Sequence, residues 1–224
     1  MTETGLDAGF NEDQIASLFT HDDTYRFARW GRPIAPVVFG TDDESLKAIH
    51  AAFSSVASIA NMKIAETDPE LGANFLVFFC NDWDEIAEVP NLDRMMPGLD
   101  KLVKQLKRAG ANQYRHFAFD EQGGIKMCIL LIKADADMMQ LSVQALATDQ
   151  MARSILLWSE DAFLLKSPIG IIEKNNMAMV RPNIAAVIRA GYDKTMPVAA
   201  EDPTHVLRLA SRVMQLLIDG DEDD

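Results

Sequence analysis

The stretch "IKMCILLIKADADMMQLSVQALATDQM", Ile125 to Met151, decides the fold class. Its opening, Ile125–Ile132, is apolar almost throughout, the composition of a strand covered on both faces. From Ala136 to Gln150 the apolar residues recur at three- and four-residue intervals, which predicts a helix. Beyond Ile132 the sequence predicts no further strand, only helices over 136–150, about 154–166, 183–191 and 203–218. Asp202, Pro203 and Gly220 read as the N-cap, first position and end of the last one.

Upstream, "PIAPVVFG" (33–40) reads as a short strand whose prolines suit an edge. Leu46, Ile49, Phe53, Val56, Ala57 and Ala60 make one apolar helix face between Asp43 and Ala60. "MKIAE" (62–66) and "NFLVFFC" (74–80) read as strands, the second central because it is apolar throughout. "GLDKLVKQLKRAG" (98–110) is an amphipathic helix closed by glycine. "QYRHFAFD" (113–120) and the strand from Ile125 flank a Gly-Gly turn and predict a hairpin. Strands with helices first and helices afterwards argue for α+β. The expected architecture is a small twisted mixed sheet from segments near 34–39, 62–66, 74–80, 114–119 and 125–132, with helices 43–60 and 136–150 packed on it. A helical C-terminal half follows. Residues 1–28 read as an N-terminal appendage, 29–218 as one domain whose two lobes meet near 133, and 219–224, "DGDEDD", as a disordered acidic tail.

The 224 residues are 48% apolar and 25% charged, ordinary for a globular protein. The net charge of −13 would repel a phosphate backbone over most of the surface, so nucleic acid is not an expected partner. No apolar run reaches the roughly 18 residues of a membrane span. The acidic N-terminus has no signal-peptide pattern, and the expected location is cytoplasmic. Cys80 and Cys128, each inside an apolar run, read as buried thiols in neighbouring strands.

Gln140 and Gln144 stand four apart on the predicted helix 136–150 and so on one face. That spacing would carry two histidines in a metallopeptidase. The four histidines, at 21, 50, 116 and 205, share no helical turn, and no cysteine pair supplements them, so neither metal nor cofactor is expected. Asp135 and Asp137 read as caps or first-turn charges, and the paired methionines 138–139 as core filler. No nucleophile elbow, phosphate loop or dinucleotide fingerprint occurs.

Four patterns in order, "RWGRPIAPVVFG", "ANFLVFFC", "QALATDQMARSILLW" and "VIRAGYDKTM", give a resemblance over residues 29–200. The chain resembles the bacterial domain-of-unknown-function family 2927, whose fold is similar to zincin-type metallopeptidases. The resemblance implies a helix where the metal-binding motif would stand, with Gln144-Ala145-Leu146 matching a family "QAL" and Asp149 near a later acidic position. The family's acidic pair falls at Gln140 and Leu141 and is missing. The resemblance therefore implies a degenerate, non-catalytic fold that binds a peptide or protein partner in a vestigial cleft lined by Gln140, Gln144, Asp149 and Tyr192. Two other readings stay open. One is an enzyme of non-metal chemistry using Gln140, Gln144 and Asp149, and the other is an acidic regulatory interaction module.

Overall fold

The computed structural model describes residues 10–136, 138–172 and 177–221. The expected appendage before Phe10, the first-turn charge at Asp137 and the last three residues of the acidic tail lie outside the described residues. Asp219, Gly220 and Asp221 belong to the final helix, so Gly220 does not end it.

Two-residue strands β1 (Thr20–His21), β2 (Thr24–Tyr25) and β3 (Phe27–Ala28) follow a capped helix α1 (Glu12–Ser17). The chain then builds one sheet from β4 (Pro36–Phe39), β5 (Phe75–Cys80), β6 (Gln113–Phe119) and β7 (Ile125–Lys133). Their order is β4-β5-β7-β6, with β4, β5 and β7 parallel and β6 antiparallel to β7. β4 is an edge, where the missing N–H of Pro36 at its first position is tolerated. The segment 62–66 is not a strand of this sheet. It contributes one isolated bridge, Ile34 to Ile64, because the chain leaves it after a single pairing.

Side-chain alternation splits the core in two. Phe75, Val77, Cys128, Leu130 and Ile132 point to one face, where α2 (Asp43–Ile59) brings Ile49, Phe53 and Val56. Phe53 stacks on Phe75 at 5.3 Å. Phe78, Cys80, Ile129 and Leu131 point to the other face, covered by α3 (Trp83–Ala87), α4 (Leu92–Met95) and α5 (Leu99–Ala109). A strand buried on both faces has no polar side to show, hence the unbroken apolar runs. The larger core also takes Ile15 and Phe19, both fully buried, so residues after Phe10 are part of it.

The C-terminal half corrects several expectations. The helix expected over 136–150 is α6, Val143–Ser154, and a 3₁₀ turn at Met138–Gln140 precedes it. Asp135 closes that turn, its carboxylate accepting the Met138 N–H at 2.9 Å. Ser142 caps α6, accepting the Ala145 N–H at 3.1 Å. No helix forms over 154–166, whose apolar side chains Ile155 to Trp158 enter the core as extended chain and turns. Two further strand pairs are present where none was expected. A hairpin joins β8 (Ile169–Ile172) to β9 (Met177–Val180), and β10 (Ala199–Ala200) pairs with β3. Helices α7 (Pro182–Gly191) and α8 (His205–Asp221) complete an α+β protein. No helix among the described residues is long and apolar enough to cross a membrane.

Candidate functional site

A crevice opens at the carboxyl ends of the parallel strands, the position at which sheets of this kind leave room for ligands. β4 ends in Gly40, whose φ of +79° favours glycine, and a Cβ there would sit 2.3 Å from the Phe79 carbonyl oxygen. Only glycine lets the loop pass so close over the end of β5. The chain then enters α2 through Asp42. Its carboxylate accepts the Glu44 N–H at 3.0 Å, the Ser45 N–H at 2.9 Å and the Ser45 hydroxyl at 2.8 Å. Those bonds, the Ser45 N–H foremost, hold the carboxyl below its usual range.

The second wall is β5, ending in Phe79, Cys80 and Asn81, and the third is β7, ending in Ile132 and Ala134. The Ala134 N–H bonds the Cys80 carbonyl at 2.9 Å and so ties the two strand ends together. Met138 and Met139 from the 3₁₀ turn, with Val143, Leu146 and Ala147 from α6, form the far lip. The volume of this open crevice is about 580 Å³, within the range that holds small ligands or a large side chain. Met139 is 75% exposed and Val143 38% exposed, so the lip itself is apolar and faces water. Burial pushes the Cys80 thiol up to about 11, and the carboxylates of Glu85 and Asp82 add to the shift against the pull of Lys133. A thiol so placed is not a nucleophile at neutral pH. No histidine lines the crevice, and among the described residues no group of three or more His, Cys, Asp or Glu could hold a metal ion. The walls can desolvate an apolar group and present a carboxylate at its edge.

The structure does not bring the sequence-derived candidates Gln140, Gln144, Asp149 and Tyr192 into one cleft. Gln140 is exposed on the 3₁₀ turn, not on the helix that carries Gln144, so the two do not stack. The Gln144 amide donates to the Ala178 carbonyl at 3.0 Å and accepts the Ala178 N–H at 3.2 Å. It acts as a short substitute strand against β9. Asp149 is buried, pairs with Arg153 at 2.7 Å and accepts the Ser167 hydroxyl at 2.9 Å. The Tyr192 hydroxyl donates to the Ile155 carbonyl at 2.7 Å and accepts the Trp30 N–H at 3.2 Å. Burial raises its phenol far above the usual value. All three bonded residues fasten distant segments of chain.

Sequence reading missed the residues that do line the crevice. One signal was present: "FGTDD" and "CNDWDE" each run from a strand end into an acidic helix start. Two such turns from parallel strands meet at one end of a sheet. Comparison with models of protein families, with curated proteins and with solved structures finds no match for this chain.

Proposed function

We propose that this protein is a non-catalytic binding protein that seats an apolar side chain of a peptide or protein partner in the crevice at the ends of β4, β5 and β7. The observation that carries this reading is the cavity itself, about 580 Å³ and walled by Ile49, Phe79, Ile132, Met138, Val143 and Leu146. Burying a large apolar side chain there is worth roughly 1.5–3 kcal/mol before other contacts are made. Methionines at the lip adapt to differing shapes, a property suited to a binding surface. A degenerate metallopeptidase-like fold, as the family resemblance implies, would put the cleft beside Gln144. The Ala178 backbone occupies that position, which favours the crevice instead. The lining hydroxyl of Ser45 donates to the Asp42 carboxylate, whose lowered pKa makes it a weak base, and no histidine lines the crevice to activate the hydroxyl as a nucleophile.

The neutral apolar dye N-phenyl-1-naphthylamine tests the reading. Its fluorescence should rise on addition of the protein and saturate. Replacing Val143 with tryptophan fills the lip without changing charge and should remove most of that signal. A signal untouched by Val143→Trp would place the dye elsewhere and sink the proposal.

A further inference from the structure

Charge around the crevice selects among apolar partners. Asp42 lines it, and Asp43 and Glu44 follow in the first turn of α2, all three exposed. On the β5 side, Asn81 lines the wall, and its N–H bonds the Glu85 carboxylate at 3.3 Å. Asp82 and Asp84 are adjacent, and Lys107 offsets part of this set, 3.3 Å from Asp82 and 2.6 Å from Asp84. Lys133 ends the third strand and opposes the field from that wall. The upward shift of the Cys80 thiol includes contributions from Glu85 and Asp82, so their field reaches the crevice wall.

Besides Lys107 and Lys133, helix ends pull the other way, and Asp42 already caps that of α2. The amino end of α6 also faces the crevice and has no acidic residue in its first turn. A helix end presents about half a positive charge, and Ser142 already satisfies one of its donors. Full charges on Asp42, Asp43 and Glu44 outweigh it.

We infer that the occupant is a basic peptide segment, with an apolar side chain in the crevice and lysine or arginine side chains beside it against the acidic turn of α2. This rests on the reading of the crevice as a peptide site. The open lip favours a peptide over a small amphiphile. Pockets for small ligands bury most of the ligand surface, whereas the exposed Met139 and Val143 are covered only if chain continues past the anchor. Acidic clefts of this kind raise the local concentration and association rate of cationic partners by roughly tenfold or more.

A random linear peptide library displayed on phage tests this, selected on the full chain and counter-selected on Val143→Trp. The counter-selection discards peptides held only by the general −13 charge. Retained peptides should carry lysine or arginine beside a leucine or aromatic residue. Their affinity should fall roughly tenfold with added salt, and similarly in the triple variant Asp42→Asn, Asp43→Asn, Glu44→Gln. Asparagine at 42 keeps the helix cap, so that variant changes charge and not fold. Retained peptides that are acidic or uncharged, or that bind the triple variant unchanged, would overturn the basic-partner inference and leave the crevice reading standing. If no peptide depends on Val143, or on Met139 tested as Met139→Trp, the crevice reading itself fails. Displacement of the dye by dodecylamine but by no peptide would replace the peptide with a small cationic amphiphile.

Discussion

His205 carries the clearest pH dependence at the scale of a single residue. It is 1% exposed, and its Nδ1 lies 2.6 Å from the Tyr25 hydroxyl. Burial keeps the phenol protonated, so the hydroxyl donates and Nδ1 accepts; Nε2 is buried without a partner. Burial, then Arg208, lowers the imidazole to about 4 from 6.5, against the opposing pull of Asp202. The unfolded chain therefore binds a proton that the folded chain refuses between those values. Stability should decline as pH falls from about 6.5 and stop responding to this group below about 4, a loss on the order of 3 kcal/mol. Carboxylates contribute increasingly below about pH 5.5, and the chain has three other histidines, so the share of His205 is read as the difference in urea midpoint between the parent and His205→Phe from pH 6.5 to about 5. The variant should flatten the slope over that range, and an unchanged slope would refute the assignment. The thiols make a second test. Burial raises Cys128 to about 12 and Cys80 to about 11, so native protein at neutral pH should label far more slowly than denatured protein. Native labelling of either thiol at the denatured rate would show an open core. The inward position of both cysteines was legible from "LVFFC" and "MCILLI" because an apolar run around a thiol leaves it nowhere polar to face. The Tyr25–His205 bond was not, since the partners stand 180 residues apart.

Among the elements, the legible ones were those whose environment is uniform along their length. β5 and β7 are buried on both faces, and α2 and α5 each have one apolar stripe, so composition and period identify them. The hairpin β8–β9 breaks that rule. Ile171, Ile172, Met177 and Met179 are 38–52% exposed, so apolar residues occupy both of its faces and no alternation survives to be read. Its place is set by Gln144, whose amide supplies the donor and acceptor that a third strand would have offered to Ala178. Replacing Gln144 with leucine keeps the volume and removes both bonds, leaving two half-buried backbone groups unpaired. That should cost about 1–3 kcal/mol locally. Hydrogen exchange of the Ala178 amide should accelerate by roughly tenfold or more while Ile129 and Leu130 in β7 stay protected. Equal exchange at Ala178 in the variant and the parent would show that the hairpin is held by its side chains alone. The helix expected over 154–166 failed for a related reason. Its apolar residues have helical spacing, but Leu157 N–H bonds the Ala28 carbonyl and Ser159 N–H the Leu18 carbonyl, and these non-local partners override the local pattern.

At the scale of the whole molecule, the crevice and the stability share one cause, a sheet used on both faces. β5 and β7 alternate residues between the larger core and the smaller one, so neither helical layer can detach without stripping cover from strands that the other layer needs. The crevice is where these layers stop at the carboxyl ends, which is why its residues come from three separate strand-to-helix passages and form no contiguous motif. A sequence scan for paired catalytic residues passes over such a site, because what defines it is an end of the sheet rather than a spacing. Tryptophans report separately on the two cores: Trp83 lies in the smaller, Trp30 and Trp158 in the larger. Leu106→Ala removes buried volume from the smaller core only and should cost about 2–5 kcal/mol. If the shared sheet couples the layers, the variant unfolds in one transition. Its denaturant midpoint is then the same whether followed at Trp83, in a protein whose other two tryptophans are phenylalanine, or by far-ultraviolet circular dichroism. Early loss of the Trp83 signal, with helix and strand content retained, would show that α3 to α5 melt as a separate layer. The wall formed by Cys80 and Asn81 would then be a movable one, and affinity for any partner would depend on that layer's own stability.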